Sequence, residues 1–292
     1  MTWKCRGGNS IGNPSSIFYD RTTGIWQSVW LEAVEPLYLK NCIITPLFDR
    51  RAVRFDYTLS QGTGCTLETV ITLDRREVVR LSHNASGQTG AFAVPLDSAD
   101  TLIQCDFFEE LCWTPERPRL FDVLFTVKRE GETLDRVRSY FGMRKVSVED
   151  GVFMLNDRPY YQKLVLDQGY WPDSLLTAPD DEAFIRDIQL IKQMGFNGVR
   201  KHQKVEDPRF LYHADRMGLL VWGEIGSAYV YSTNAACRLY REWQEAVLRD
   251  INHPCIVAWT PLNESWGVPA IHADPAQQAH CQALYHLTRS LD

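Results

Sequence analysis

The chain has 292 residues, a formal net charge of −6, 45% hydrophobic residues and 23% charged residues. This length accommodates two domains, or one large domain and a small one, and the composition is that of an ordinary globular protein. The negative charge and the lack of a Lys/Arg cluster exclude nucleic acid and an anionic membrane surface as expected partners, and no apolar run reaches the length of a membrane-spanning helix.

The eight cysteines are scattered along the chain, with no C-x-x-C pair and no His partner at zinc-ligand spacing. In a chain of this length they are typical of free thiols in a reducing compartment. The first ten residues are too polar for a signal peptide. We therefore expect a cytoplasmic protein without a metal or a cofactor; the alternative is a signal peptide lost with an incomplete N-terminus.

Residues 1–34 are rich in Gly, Asn and Ser and then in aromatic residues, and they end in a run, Ile25 to Val34, that predicts a strand. No second predicted strand lies nearby, and one strand by itself does not form a domain. We interpret residues 1–34 as the C-terminal remnant of a larger domain.

Residues 35–147 alternate apolar and polar side chains in short runs, separated by turn residues such as those at 61–64 and 87–90. This pattern predicts about seven antiparallel strands that form an immunoglobulin-like β-sandwich. The segment contains no catalytic constellation, so we interpret it as a support. The runs lie at residues 37–48, 52–60, 65–74, 77–83, 101–108 and 120–146.

Residues 148–292 contain four strand-then-helix units. Apolar strands that alternate with amphipathic helices predict a parallel sheet, either doubly wound or part of a β/α barrel, and no Gly-rich phosphate-binding motif follows any strand. A TIM barrel needs eight units, so this segment is expected to be the first half of one. The strands are predicted at 153–166, 196–202, 219–225 and 255–262, and the helices at 180–195, 207–218, 238–252 and 275–291.

Polar and aromatic side chains follow all four predicted strands, at the edge where a β/α barrel carries its functional site. Trp and Tyr offer flat faces to the C–H side of a pyranose, while Asp, Asn, Arg, His and Gln bind its hydroxyl groups. The pattern therefore predicts a carbohydrate site. The candidate side chains are Asp167, Gln168, Tyr170, Trp171, Arg200, Lys201, His202, Gln203, Trp222, Glu224, Asn263, Glu264 and Trp266.

Glu264 follows the apolar run Cys255–Trp259 and stands beside Asn263. A glutamate in this position can protonate a glycosidic oxygen. Glycoside hydrolysis needs two carboxyl groups, about 5 Å apart when the configuration of the sugar is retained. A solvated loop glutamate near a helix start is the alternative interpretation of an isolated Asn-Glu pair.

Two stretches resemble glycoside hydrolase family 2, the family of β-galactosidases, β-glucuronidases and β-mannosidases. They are FNGVRKHQKVEDPRFLYHADRMGLLVWGEI at 196–225 and RDINHPCIVAWTPLNES at 249–265. FYDRTTGIWQSVWLE at 18–32 is similar to the end of the family's sugar-binding jelly-roll domain, and YFGMRKV at 140–146 to its junction between the immunoglobulin-like domain and the barrel. In family order, these matches extend over almost the whole chain.

The resemblance implies a retaining β-glycosidase, β-galactosidase-like, that removes terminal β-linked sugars by double displacement. Glu264 is similar to the family's general acid/base, and Asn263 to the amide that holds the sugar 2-hydroxyl. Arg200 and His202 fall on the second-strand segment that the family uses around its pocket. Four further residues are expected in the sugar pocket from their positions at strand ends: Asp167, Trp171, Glu224 and Trp266.

The chain departs from the family pattern at two places. The family has Tyr-Pro after the second-strand histidine, whereas this chain has Gln203-Lys204 after His202. The family's nucleophile, a second glutamate on a later barrel strand, has no counterpart after Glu264. The chain is therefore expected to be an internal fragment.

The expected partner is a carbohydrate, and the chain is expected to form a homo-oligomer or to require a complementary half-barrel. The alternatives to a hydrolase are a carbohydrate-binding protein without turnover and an inactive fragment. Lys201, placed near the predicted pocket, would suit the carboxylate of a uronic acid.

Overall fold

The computed structural model describes residues 24–62, 64–96 and 108–292, which belong to two compact units. One unit, the sandwich unit, comprises residues 30–161 with 252–254. The other, the barrel unit, comprises the described residues 24–29 with 162–251 and 255–292. The three-part division at residues 34 and 147 stays a prediction.

The sandwich unit is built from two antiparallel sheets, in the orders β1-β2-β5 and β4-β3-β6-β7. Alternation along the strands decides which side chains form its core. In the third strand Leu67 and Ile71 are fully buried, whereas Glu68 is only partly covered. Burying an apolar side chain such as that of Leu67 or Ile71 stabilises the fold by about 1.5–3 kcal/mol. The strands are β1 (Leu39–Leu47), β2 (Ala52–Leu59), β3 (Cys65–Leu73), β4 (Arg76–Ala85), β5 (Thr89–Pro95), β6 (Phe121–Arg129) and β7 (Glu132–Phe141).

The first half of the chain differs from its predicted strands at two places, and one predicted strand lies almost wholly outside the described residues. The run Ile25–Val34 forms no strand, because no strand among the described residues pairs with its backbone. Gln27 instead donates a side-chain hydrogen bond to the carbonyl of Val205. Strand β5 was not predicted, since its Gly and Ala residues weaken the apolar pattern, and pairing with β2 defines it. The predicted strand at 101–108 lies outside the described residues except Phe108, which begins a 3-10 turn.

The predicted strand 153–166 is in fact three strands. Asn156 and Asp157 both have positive φ, 54° and 60°, which is the backbone of a tight hairpin turn. This turn interrupts the run and leaves a separate barrel strand after it. A small antiparallel sheet of the sandwich unit contains β8 (Val146–Glu149), β9 (Val152–Leu155) and β10 (Arg158–Pro159), in the order β10-β9-β8.

The barrel unit contains four parallel strands in the order β11-β12-β13-β14, each followed by a helix. The strands lie in the sheet in the same order as in the sequence, which is the arrangement of consecutive units of a TIM barrel, as predicted. The strands are β11 (Leu164–Asp167), β12 (Gly198–Lys201), β13 (Leu220–Glu224) and β14 (Ile256–Thr260). The helices are α1 (Asp181–Gln193), α2 (Pro208–Met217), α3 (Thr233–Asp250) and α4 (Pro275–Leu291).

Side-chain caps begin these helices. The carboxylate of Asp207 accepts a hydrogen bond from the backbone of Arg209, with Pro208 in the first position of α2, and Gly218 ends that helix with φ of 71°. Ser232 caps α3, so this helix begins five residues before the predicted start. In α1 the apolar side chains Phe184, Ile188 and Ile191 are buried and Ile185 is partly buried, whereas Met194, past the helix end, is 63% exposed.

Candidate active site

Arg200 connects the carboxyl ends of three neighbouring strands. Its Nε donates to Oε2 of Glu224 over 2.6 Å, and its Nη2 donates to Oδ1 of Asn263 over 2.5 Å. Both acceptors are buried, with exposures of 1% and 2%, whereas the Arg200 side chain is 29% exposed. The pair Arg200–Glu224 thereby neutralises a buried carboxylate and fixes the orientation of the Asn263 amide.

Glu224 also holds the segment that follows β12. Its Oε1 accepts a hydrogen bond of 2.7 Å from the backbone N–H of Gln203, and Nδ1 of His202 lies 3.4 Å from the same oxygen. The backbone N–H of His202 donates to the carbonyl of Asp167 over 2.8 Å. The structure therefore brings four of the predicted site residues together: Arg200, His202, Glu224 and Asn263.

Glu264 lies next to this group in a turn that follows β14. Its φ of 54° is in the left-handed region, which is uncommon for a non-glycine residue and recurs at functional sites. The side chain is exposed, and Nε1 of Trp266 donates to its Oε2 over 3.0 Å. The carboxylate therefore stands at the mouth of the sheet, accessible to a ligand and held by one indole.

The segment after β13 supports this turn. The hydroxyl oxygen of Ser227 accepts a hydrogen bond of 3.3 Å from the backbone of Asn263, and the ring of Tyr229 packs edge-on against Trp266 at 5.1 Å. Ser227 and Tyr229 were not predicted. The signal available in the sequence was their place directly after the third strand, where polar and aromatic residues follow GEI.

Asp167 belongs to a second cluster. Successive side chains of a strand point to opposite faces, and Lys201, next to Arg200 on β12, points to the face that α2 covers, with its Nζ 3.9 Å from the ring centre of Phe210. Nζ of Lys201 lies 2.6 Å from Oδ2 of Asp167 and 2.7 Å from Oε2 of Glu206. The carboxylate of Asp167 is therefore bound by a lysine and is not among the groups that contact Arg200 or Asn263; its place in the sugar pocket stays a prediction.

The charged groups of this second cluster keep one another ionised. Burial would raise the pKa of the Glu206 carboxyl, but the ammonium groups of Lys201 and Lys204 outweigh it and hold that pKa below its ordinary value. The pKa of Asp167 is lowered in the same way, against burial, by Lys201. Burial lowers the pKa of Lys201 less than the two carboxylates raise it, so this lysine stays charged.

Trp171 also contacts the second cluster. Nζ of Lys204 lies 4.8 Å from the ring centre of Trp171 and 4.8 Å from that of Trp26. The same nitrogen lies 2.9 Å from Oε1 of Glu206, and burial lowers the pKa of Lys204. Trp171 therefore packs against a buried ammonium group, and its place in the sugar pocket stays a prediction.

The cluster also decides the role of Lys201. This side chain is 1% exposed and contacts two carboxylates. It is therefore not available to the carboxylate of a uronic acid, although the sequence suggested that role.

Within the described residues, no group of three His, Cys, Asp or Glu side chains could hold a metal ion, and no helix has the length and apolar character to span a membrane.

Two family models match the chain. The model for the TIM barrel domain of glycosyl hydrolases family 2 matches residues 146–292, and the model described as glycosyl hydrolases family 2 matches residues 37–144. The matched ranges correspond to the parallel β/α units with the small sheet that precedes them, and to the two-sheet sandwich.

Similar sequences include proteins named β-galactosidase. That of Photobacterium profundum is 33% identical over 167 residues, which cover 52% of this chain and 16% of the relative. That of Vibrio cholerae is 29% identical over 293 residues, which cover 92% of this chain and 27% of the relative. The chain thus spans less than a third of the length of these two relatives.

Similar solved structures include β-glucuronidase 3 of Bacteroides uniformis, with a TM-score of 0.72, 20% identity and coverage of 88% of this chain and 32% of that one. A family 2 member from Bacteroides cellulosilyticus has a TM-score of 0.70, 20% identity and coverage of 89% and 36%. These likenesses bear on the fold alone. With the family matches, they confirm a β-sandwich followed by part of a TIM barrel.

Proposed function

Because the chain belongs to glycosyl hydrolase family 2, we propose that it carries the acid/base half of the catalytic site of a retaining β-glycosidase. Glu264 is the proton donor in this proposal, and Asn263 binds a hydroxyl group of the sugar. Arg200 and Glu224 position Asn263 and do not touch the substrate's reacting atoms. The observation that carries the proposal is the Asn263 amide, held at 2.5 Å by Arg200 and followed directly by the exposed carboxyl of Glu264.

The chemistry proceeds in two displacements. In the first, a carboxylate attacks the anomeric carbon, the bond from that carbon to the glycosidic oxygen breaks, and Glu264 gives its proton to the departing oxygen. In the second, the Glu264 carboxylate takes a proton from water, whose oxygen displaces the enzyme carboxylate from the anomeric carbon. Glu264 thus ends the cycle protonated, as it began.

We propose that the attacking carboxylate is provided from outside the 292 residues. Glu264 is the last glutamate of the sequence, and the acids after it are Asp274, which caps α4, and Asp292. Asp292 accepts a hydrogen bond of 2.6 Å from Nε1 of Trp259. Strands β11 and β14 each have one neighbour among the described strands, so each has an edge on which a complementary half-barrel, or a second copy of the chain, can pair.

The proposed substrate is a terminal β-linked sugar. Relatives are named β-galactosidase and structural neighbours β-glucuronidase, and galactose and glucuronate are therefore the first sugars to test. The burial of Lys201 removes one argument for a uronic acid. The alternative of sugar binding without turnover is favoured by one observation, the occupation of the Glu264 carboxylate by Trp266 Nε1.

The first experiment measures binding and turnover by the 292-residue chain. Calorimetric titration with galactose, glucuronate and mannose is expected to give binding of one sugar, and Asn263→Ala is expected to remove it. No hydrolysis of 4-nitrophenyl β-glycosides is expected from this chain alone. No heat with any of the three sugars would count against the pocket, and turnover that Glu264→Gln abolishes would show that the nucleophile lies within the chain.

The second experiment tests the acid/base role. The chain is joined to the last four β/α units of a family relative and assayed with 4-nitrophenyl and 2,4-dinitrophenyl β-glycosides. Glu264→Gln is expected to lower kcat on the first substrate about 10²–10⁴-fold, and less on the second, whose leaving group needs no proton. Glu182→Gln on the exposed first turn of α1 is the control. Equal losses on both substrates would reject proton donation by Glu264, and an unchanged kcat of the Glu264→Gln chimera on the 4-nitrophenyl substrate would do the same.

We also propose a reducing, cytoplasmic location. Six cysteines in the described residues are free, and burial raises the pKa of the Cys42 and Cys112 thiols to about 12. Thiols with such a pKa are poor nucleophiles and are suited to a packing role. Thiol titration of the protein taken directly from its cells is expected to find all eight cysteines reduced; disulfides would contradict this location.

A further inference from the structure

The outer face of the sheet β4-β3-β6-β7 carries a basic groove, which is far removed in sequence from the residues of the proposed catalytic site. The groove has a volume of about 620 Å³, within the range of about 300–1,000 Å³ that is usual for small-molecule sites. Four cationic side chains line it, with one carboxylate and one central hydroxyl between them. These residues are Arg80, Lys128, Arg136, Arg138, Glu68 and Thr126.

Strand register places these side chains on one face. Arg136 pairs with Thr126 across β6 and β7, and Thr126 pairs with Glu68 across β3 and β6. Residues directly opposite each other in antiparallel strands project to the same side. Arg138, two residues from Arg136, projects to that side as well, about 7 Å farther along the strand. The opposite face of these strands is the buried core of the sandwich.

The charges in the groove are unbalanced. Glu68 is already engaged, because its Oε1 lies 2.5 Å from Nη1 of Arg80 and its Oε2 is in contact with Nζ of Lys128. Arg136 and Arg138 are exposed and form no ion pair or hydrogen bond with any residue that the structure describes. Two guanidinium groups are therefore available on a chain whose net charge is −6. This local excess of positive charge attracts anions.

The composition of the groove selects the class of anion. Guanidinium groups bind carboxylate and sulfate groups through paired N–H donors, and Thr126 and Thr133 add hydroxyl groups that suit a polyhydroxylated ligand. None of the nine lining residues is aromatic, so a neutral sugar finds no stacking surface. The groove lies on the face of the sheet, whereas a peptide that adds a strand would pair in the plane of the sheet, along the edge of β7.

We propose that this groove binds an acidic oligosaccharide, with its carboxylate or sulfate groups paired to Arg136 and Arg138. The ligand lies across β3, β6 and β7, and its hydroxyl groups contact the threonines of the groove. This site is separate from the proposed glycosidase chemistry, since every residue in it belongs to the sandwich unit and the proposed function uses residues of the barrel unit.

The test measures binding of fluorescently labelled tetrasaccharides to the 292-residue chain by anisotropy. The probes are tetragalacturonate, which carries carboxylates, a heparin-derived tetrasaccharide, which carries sulfates, and neutral cellotetraose. We expect at least one acidic probe to bind, with an affinity that falls as salt is raised, and cellotetraose to bind at least tenfold more weakly. The two acidic probes distinguish carboxylate from sulfate as the recognised group.

The variant R136A/R138A is expected to lower the affinity for the acidic probe at least tenfold. R50A/R76A removes the same charge from exposed positions outside the groove and is expected to change the affinity less than twofold. Circular dichroism checks that both variants fold. The proposal is overturned if neither acidic probe binds, if the two variants lose affinity equally, or if a tetraglutamate peptide binds more tightly than both acidic sugars.

Discussion

Arg200 donates a hydrogen bond of 2.5 Å from its Nη2 to Oδ1 of Asn263, across the strand β13 that separates them. The bond fixes the orientation of the amide through its oxygen, and the Nδ2 group is the donor that can bind a ligand. Glu224 holds the same guanidinium group from the other side, at 2.6 Å. Asn263, the residue beside the proposed proton donor, is thus oriented by an ion pair between Arg200 on β12 and Glu224 on β13.

Removal of Arg200 is expected to destabilise the barrel unit. Arg200→Ala leaves the buried carboxylate of Glu224 without its cation, and losing one partner of a buried pair costs about 3–5 kcal/mol. Because the Arg200 side chain is 29% exposed, we expect the lower part of that range. Urea unfolding followed by tryptophan fluorescence measures the change. Arg186→Ala, on the exposed side of α1, is the control. Arg200→Ala/Glu224→Gln should recover part of the loss, and no recovery would contradict the ion pair.

The stability of the barrel unit is expected to fall in acid. The pKa values of Asp167 and Glu206 are lower in the folded protein than in the unfolded chain. The unfolded chain therefore binds more protons in acid, and the free energy of unfolding decreases as the pH falls below the ordinary glutamate value of 4.5 and through the folded pKa values. Urea unfolding at a series of pH values measures the slope.

A variant isolates the cluster in that pH series. Lys201→Met/Glu206→Met removes one charge of each sign and keeps the side-chain volume similar. Below pH 4.5 its free energy of unfolding should therefore depend less on pH than that of the wild type. The single variant Lys201→Met leaves two buried carboxylates without their shared cation and should lose about 3–5 kcal/mol. An unchanged acid slope in the double variant would assign the effect to other carboxylates.

Gly169→Ala is expected to disturb the second cluster specifically. Gly169 has φ of 59°, and an added Cβ would lie 2.6 Å from Oε2 of Glu206 and 2.7 Å from Nζ of Lys204. Both side chains are buried and tied by ion pairs, so they have little room to move. Gly195→Ala is matched in backbone conformation, with φ of 86° and open space around it. It should cost about 1 kcal/mol, and Gly169→Ala at least twice as much, by urea unfolding. Equal losses of stability in the two variants would mean that Glu206 and Lys204 move to accommodate the added methyl group.

The hydrogen bond between Trp266 and Glu264 can be tested by nuclear magnetic resonance. Glu264→Gln replaces a carboxylate acceptor with a weaker neutral one, so the indole N–H resonance of Trp266 should move upfield. Trp259, whose Nε1 donates to Oδ2 of Asp292 over 2.6 Å, provides the reciprocal control. Asp292→Asn should move the Trp259 resonance and leave that of Trp266 in place. An unchanged Trp266 resonance in Glu264→Gln would mean that this bond does not form in solution.

The sequence by itself determined most of the strands and helices and the place of the proposed proton donor along the chain. The Asp207-Pro208 start of α2 and the apolar strand runs are local features, and the runs locate Glu264 after the fourth parallel strand. The Ser232 cap was missed, so α3 was predicted to begin five residues late. Arg200, Glu224 and Asn263 were also chosen as site candidates near strand ends, and their role in a sugar pocket stays a prediction. Strands and helices could be predicted because each depends on neighbours along the chain.

Only the tertiary structure decided how those side chains divide between two clusters. Arg200 and Lys201 are adjacent in sequence but point to opposite faces of β12, one toward Asn263 and the other toward Asp167 and Glu206. The period of a strand fixes that neighbours diverge, but not which of them faces the helices. That choice depends on the burial of whole elements against one another, and on the ion pairs that make a buried charge tolerable.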